Sequence, residues 1–257
     1  MVKFAAIGLT LLASSAYADI FRPSKEDQVK LGQKAAADIK KQEKLLPESH
    51  IQVKTLRRIA LKLLSTVDDS KEPWKYSFDV IHSKTLNAFA LPGGPVFFYS
   101  GIMNKMKTED EIAGILAHEL THVRHQHWAT AYAESQKRAL GISALLTIFK
   151  VNRTGAAIAS ITNDLLIELP FSRSHETDSD MTGLTMMVNA GYNPNGMADV
   201  FRMLKAEGGS KPPEFLSTHP DDGKRINNIE DKIKKMNRTF PAMKPLPSGW
   251  IVEDPKK

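Results

Sequence analysis

His118, Glu119 and His122 stand in the run His118-Glu119-Leu120-Thr121-His122. On an α-helix the second imidazole lies about 40° around the axis from the first and about 6 Å along it, so both reach one ion from the same face. The carboxylate between them, about 100° from His118, meets a water on that ion without occupying the ion itself. With 8 His and 14 Glu in 257 residues, composition alone gives about 0.01 such patterns. The chemistry this arrangement serves is hydrolysis by a metal-activated water, with Glu119 as general base.

Two imidazoles make half of a tetrahedral site, and with no cysteine in the chain the remaining protein ligand must be His, Asp or Glu. Glu176 is the best candidate. It falls early in an expected helix, and Asp180, one turn on, projects from the same side, placed to accept a hydrogen bond from a ligand imidazole and fix its tautomer. His125 lies within about 20° of His118 on the helical wheel but about 10.5 Å further along, too far to share the ion. His127 points away from His118 on that wheel and reads as a packing or hydrogen-bonding residue. His50, His82 and His175 have no evident partner.

On these residues the chain resembles the gluzincin metallopeptidases of family forty-eight, the HtpX, BepA and CAAX prenyl protease types, from about Glu26 to Ile229. The motifs that carry the likeness are NAFALPGG (residues 87–94), AHELTHVRHQH (117–127), SRSHETDSD (172–180) and STHPDDGKRI (217–226). The resemblance implies a zincin-type domain, one Zn2+ per chain and peptide-bond hydrolysis. It places the third zinc ligand at Glu176, within a pattern Arg-x-x-Glu-x-x-Ala-Asp that here runs from Arg173 to Asp180 with Ser179 in the alanine position. It also assigns His219 to the active site, where it stabilises the oxyanion or, in a resting enzyme, fills the open ligand position, with Arg225 as a nearby cation. Spacing alone reads His219, before Pro220, as a surface residue.

Asn87, Ala88, Phe89, Gly93 and Gly94 admit two readings. They are plain core sheet, or they form a strand at the cleft edge that pairs with an extended substrate backbone, with the two glycines allowing close approach.

Several elements must position these groups. Ser24 caps a helix reaching about Lys44, and a second covers Gln52 to Val67. Trp74, Tyr76, Phe78 and Val80 alternate with polar residues as in a half-buried strand. Asn87–Leu91, the turn Pro92-Gly93-Gly94-Pro95 and Val96–Tyr99 complete a small, mainly antiparallel sheet. Thr108 and Glu111 form a capping box, opening an amphipathic helix from Glu109 past Ala117 toward Trp128. Further helices run from about Ser174 to Asn189 with Gly191 as C-cap, from Asn193-Pro194 to about Ala206, and from about Asp221 with Ile226, Ile229, Ile233 and Met236 on one stripe. The apolar stretch 139–169 reads as core or as a cover over the cleft, and 241–257 as an irregular tail. The fold class is therefore α+β and mostly helical.

Composition bounds the rest. The chain is 42% hydrophobic and 25% charged, ordinary globular values that suit one domain over 19–240. No run of 18 apolar residues occurs, which excludes a multi-pass membrane protein. Lys3, the apolar stretch from Phe4 to Ala13 and the small-x-small Ala16-Tyr17-Ala18 read as a secretory signal over 1–18. That gives an expected periplasmic location, and the absence of cysteine excludes a lipoprotein. The formal charge of +6 is spread over helix faces and calls for no nucleic-acid partner. The expected function is a zinc endopeptidase acting on unfolded or misassembled envelope proteins. The competing readings are a zinc-containing chaperone or scaffold that binds extended polypeptides without cutting them, and a protease tethered by an uncleaved signal.

Overall fold

Ser24 accepts a hydrogen bond from the Asp27 N–H at 3.1 Å and so starts helix α1, Lys25–Gln42. The His50 ring does the same for Gln52 and starts α2, Ile51–Leu64. In this computed structural model residues 21–148, 171–208, 211–220 and 223–253 are described, with backbone alone for 140–148. Most of 139–169, and the proposed signal, thus lie outside the described residues.

The strands are β1 (Ser77–Ile81), β2 (Ala88–Ala90) and β3 (Pro95–Tyr99), in the order β1-β3-β2. The β2–β3 hairpin is antiparallel as expected, but β1 pairs with β3 in parallel, so the sheet is mixed rather than mainly antiparallel. The 82–87 connection reverses the chain but sets β2 one strand position beyond β1's neighbour, and β3 fills the gap running parallel to β1. Nor is β1 half-buried: from Phe78 to Ile81 both faces are covered. Asp79, read as a solvent-facing position, is buried and paired with Lys40 at 2.6 Å and Arg57 at 3.2 Å.

Helix α3 (Ser100–Lys105) leads to α4, Glu109–Arg124, opened by the expected capping box between Thr108 and Glu111. Every residue of α4 from Glu109 to Val123 is buried, which corrects the amphipathic expectation. A helix covered on all sides is the core of the molecule, and its polar residues need internal partners. Neighbours come very close: a Cβ on Gly114 would stand 2.8 Å from the Met197 Cα, and one on Gly183 would meet the His118 backbone nitrogen at 3.2 Å. Glycine at these positions lets α7 (Asn195–Glu207) and α6 (Arg173–Asn189) lie against α4.

Helix α4 does not continue to Trp128. It stops at Arg124, Gln126 takes φ 56°, and α5 begins afresh at His127 and reaches Ile148. The last described elements are α8 (Glu214–Thr218) and α9 (Arg225–Lys235), followed by a stretch without helix or strand between 241 and 253. That stretch packs closely. Pro245 bridges to Thr108, and the buried Trp250 donates from its indole to the Met103 carbonyl at 2.7 Å. No helix among the described residues is long and apolar enough to cross a membrane.

Candidate metal centre

One turn of α4 sets the His118 and His122 Nε2 atoms 3.0 Å apart. Across the α4–α6 contact, Glu176 brings Oε2 to 3.5 Å from His118 Nε2 and Oε1 to 3.4 Å from His122 Nε2. Asp180, one turn further along α6, accepts a hydrogen bond from His118 Nδ1 at 2.9 Å. His122 Nδ1 faces His127 Nδ1 at 3.1 Å. With both Nδ1 protons given outward, two imidazole lone pairs and a carboxylate converge on one buried point. Glu176 Oε2 makes no well-aligned hydrogen bond there, although Arg225 Nη1 stands 2.8 Å away. Such a convergence is unfavourable by itself and is offset by a divalent cation, so these residues fit a metal.

His219 lies inside the cluster. It caps the C-terminus of α8, and its Nδ1 is 3.2 Å from both His118 Nε2 and Glu176 Oε1, with Nε2 3.4 Å from Glu119 Oε1. One ligand atom from each of His118, His122, Glu176 and His219 falls within 4.8 Å of the others. The surface position that spacing suggested for His219 is thus incorrect, since the ring is buried on Phe215 with centroids 4.5 Å apart. Pro220 ends the short helix but does not carry the side chain outward. Arg225 holds the group together: Nε and Nη2 donate to Asp180 at 2.8 Å each, and Nη1 donates to the His219 carbonyl at 3.1 Å.

The model of Peptidase family M48 matches residues 50–233. The chain belongs to this family. It is similar to the mitochondrial metalloendopeptidase OMA1 of Schizosaccharomyces pombe, 34% identical over 191 residues, 74% of this chain and 55% of that one. OMA1 of Saccharomyces cerevisiae is 34% identical over 215 residues, 77% and 61% of the two chains. The beta-barrel assembly-enhancing protease of Escherichia coli is 27% identical over 190 residues, 70% and 39%. The chain therefore covers less than two thirds of the length of each of these relatives.

In this M48 chain Glu119 is buried, and its Oε1 has no hydrogen-bond partner. Burial, opposed by the nearby His219 and reinforced by the Glu176 charge, pushes its carboxyl up from the ordinary 4.5 to about 7. Glu176 moves the other way: burial would raise it, but His219 and hydrogen bonds from the histidines outweigh burial and hold it well below the usual range. Burial drives His122 well below its ordinary value, while at His118 the bonds to Asp180 and Glu176 overcome burial and raise it.

The raised Glu119 has a consequence for the metal-free protein. Below pH 4.5 the group is protonated in both folded and unfolded chains and costs nothing. As pH rises toward 7 the unfolded chain ionises while the folded one resists, and stability falls. Metal-free Glu119→Gln is therefore expected to be more stable than the metal-free parent at pH 8, by about 3 kcal/mol, and to match it near pH 4. Urea melts at the two pH values measure this, and equal midpoints at pH 8 would refute the raised carboxyl.

The proposed substrate strand is placed beside the site, with corrections. Leu91 and Tyr99 N–H groups close the hairpin, so the main-chain groups of Ala88 and Ala90 point away from β3, and there the Ala88 N–H is taken by Asn87 Oδ1 at 2.9 Å. On that edge the Ala90 N–H approaches the Glu119 carboxylate. The side chains of Asn87, Ala88 and Phe89 are buried within the protein: Asn87 donates to Glu214 at 2.9 Å and Phe89 stacks on Phe97. Gly93 and Gly94 do allow close approach, but to the chain's own backbone at Val29 and Lys75, with φ 80° and 132°.

Other neighbours went unread in the sequence. Phe171 lies 4.0 Å from the His122 ring between centroids, and Phe215 underlies His219. His127 is a hydrogen-bonding residue as read, yet it reaches His122 only because the helix breaks, a bend the continuous wheel could not contain. His50 caps α2, His82 meets the Glu253 carbonyl at 2.8 Å, and His175 stacks on His127.

Proposed function

We propose that this chain is a zinc-dependent endopeptidase. The observation that carries the reading is the convergence of His118, His122 and Glu176 on one buried point with the Glu119 carboxylate beside it. Two imidazoles and one carboxylate are a zinc ligand set, and bound zinc supplies Lewis-acid activation of water and of a scissile carbonyl. Glu119 takes the proton of the attacking water and returns it to the leaving amine. Asp180 holds the His118 tautomer, and Arg225 holds Asp180. His219 donates to the oxyanion once substrate displaces it from the ligand cluster.

The outer edge of β2 suits an extended polypeptide, which would be held through the main-chain carbonyls of Ala88 and Ala90 with little dependence on side chains. That favours unfolded or misassembled proteins as substrates. One relative is named a beta-barrel assembly-enhancing protease and others mitochondrial metalloendopeptidases. With the signal-like residues 1–18, we assign this chain to envelope protein quality control in the periplasm, with envelope proteins as partners.

Incubation of the purified protein with unfolded casein is expected to give fragments, abolished by a chelator and restored by zinc. Casein that is bound and kept soluble but left intact would instead support a chaperone or scaffold.

A further inference from the structure

The break between α4 and α5 does more than end a helix. Gln126 adopts a left-handed conformation rarely taken by a residue with a side chain, and the flanking His125 and His127 rings meet edge to face with centroids 5.7 Å apart. Both turn to Asp178 on α6. His127 Nε2 is 3.1 Å from Asp178 Oδ2, and His125 Nδ1 pairs with the same oxygen. One ligand atom from each of the three residues lies within 4.8 Å of the others. His125 and Asp178 are 37% and 43% exposed, so the cluster opens to solvent while its third member stays buried.

We propose that His125, His127 and Asp178 form a second, outer site for a borderline divalent cation such as Zn2+, and that filling it loosens the inner site. Two imidazoles and a carboxylate, with solvent completing the shell, select zinc-like ions over calcium or magnesium.

The antagonism follows from one proton and rests on the inner-site reading. When His122 gives its Nε2 lone pair to an inner cation, its Nδ1 carries hydrogen and donates to His127 Nδ1, 3.1 Å away. His127 must then hold its own hydrogen on Nε2, directed at Asp178. An outer cation needs that Nε2 lone pair, so the hydrogen moves to Nδ1 and two N–H groups face each other. Ser179 Oγ, 3.2 Å from His127 Nδ1, accepts the displaced hydrogen, but His122 loses its partner. Coupling of this kind is reciprocal: an occupied inner site weakens the outer one equally.

The test uses the full chain loaded with one equivalent of isotopically labelled zinc and titrated with natural-abundance zinc. Calorimetry is expected to show a second, weaker equivalent, lost in both His125→Ala and Asp178→Asn. Native mass spectrometry is expected to show the label leaving the parent protein about tenfold faster once the second equivalent binds, and at a zinc-independent rate in the variants. Uptake of a single equivalent by the parent, or a second equivalent retained by both variants, overturns the outer site. A second equivalent that leaves label exchange unchanged overturns the antagonism. Loss of the first equivalent is not among these outcomes; it is read separately in Glu176→Ala, so failure of the inner-site reading is distinguishable.

Discussion

Glu119→Gln is expected to lower turnover of an unfolded protein substrate by about 1,000-fold, with zinc content unchanged and KM close to that of the parent. The amide keeps the shape of the carboxylate and its place beside the Ala90 N–H. What it loses is the ability to take a proton. Because Glu119 lies outside the group formed by His118, His122, Glu176 and His219, metal retention should not follow activity. Cleavage at the parental rate would remove Glu119 from the mechanism, and loss of zinc alongside activity would place it in the ligand set. The same variant is the one expected to be more stable without metal, so lower activity should accompany higher stability.

Glu176→Ala is expected to lower zinc affinity by well over the roughly 100-fold that loss of an outer hydrogen-bond partner costs. Dialysis against a weak chelator followed by elemental analysis should find about one zinc per parent chain and almost none in the variant. Removing this carboxylate also leaves Arg225 Nη1 without the oxygen 2.8 Å away, so the metal-free variant should melt earlier as well. Full zinc retention would move the third ligand elsewhere, and His219 is then the residue to replace.

The convergence of His118 and His122 on α4 was legible because four-residue spacing on one helix fixes direction regardless of the rest of the fold. Glu176 and Asp180 were legible by the same local rule, one turn apart on α6, once the histidine pair called for a third acidic or imidazole partner. His219 was not. Only the likeness carried by residues 217–226 pointed to it; its place depends on α8 being brought against α4 and α6, where the ring meets His118 and Glu176 at 3.2 Å each, a long-range arrangement with no periodicity in the sequence. Local patterns also misled where burial was complete: β1 alternates in sequence, yet Lys40 and Arg57 cover Asp79 from outside the sheet. The helix running on to Trp128 was the other misreading. Nothing in Arg124-His125-Gln126-His127 marks a stop by propensity, since glutamine is a good helix former and here takes a conformation that favours glycine.

Arg225 is a shared tether. One planar group touches the carboxylate steadying His118, the carbonyl of His219 and the oxygen of Glu176. If, as proposed, substrate displaces His219 and Glu176 holds the ion, admission of the one and retention of the other pull on the same guanidinium. Neither property can be tuned alone, and a lineage selected to grip its ion harder would be expected to open more reluctantly.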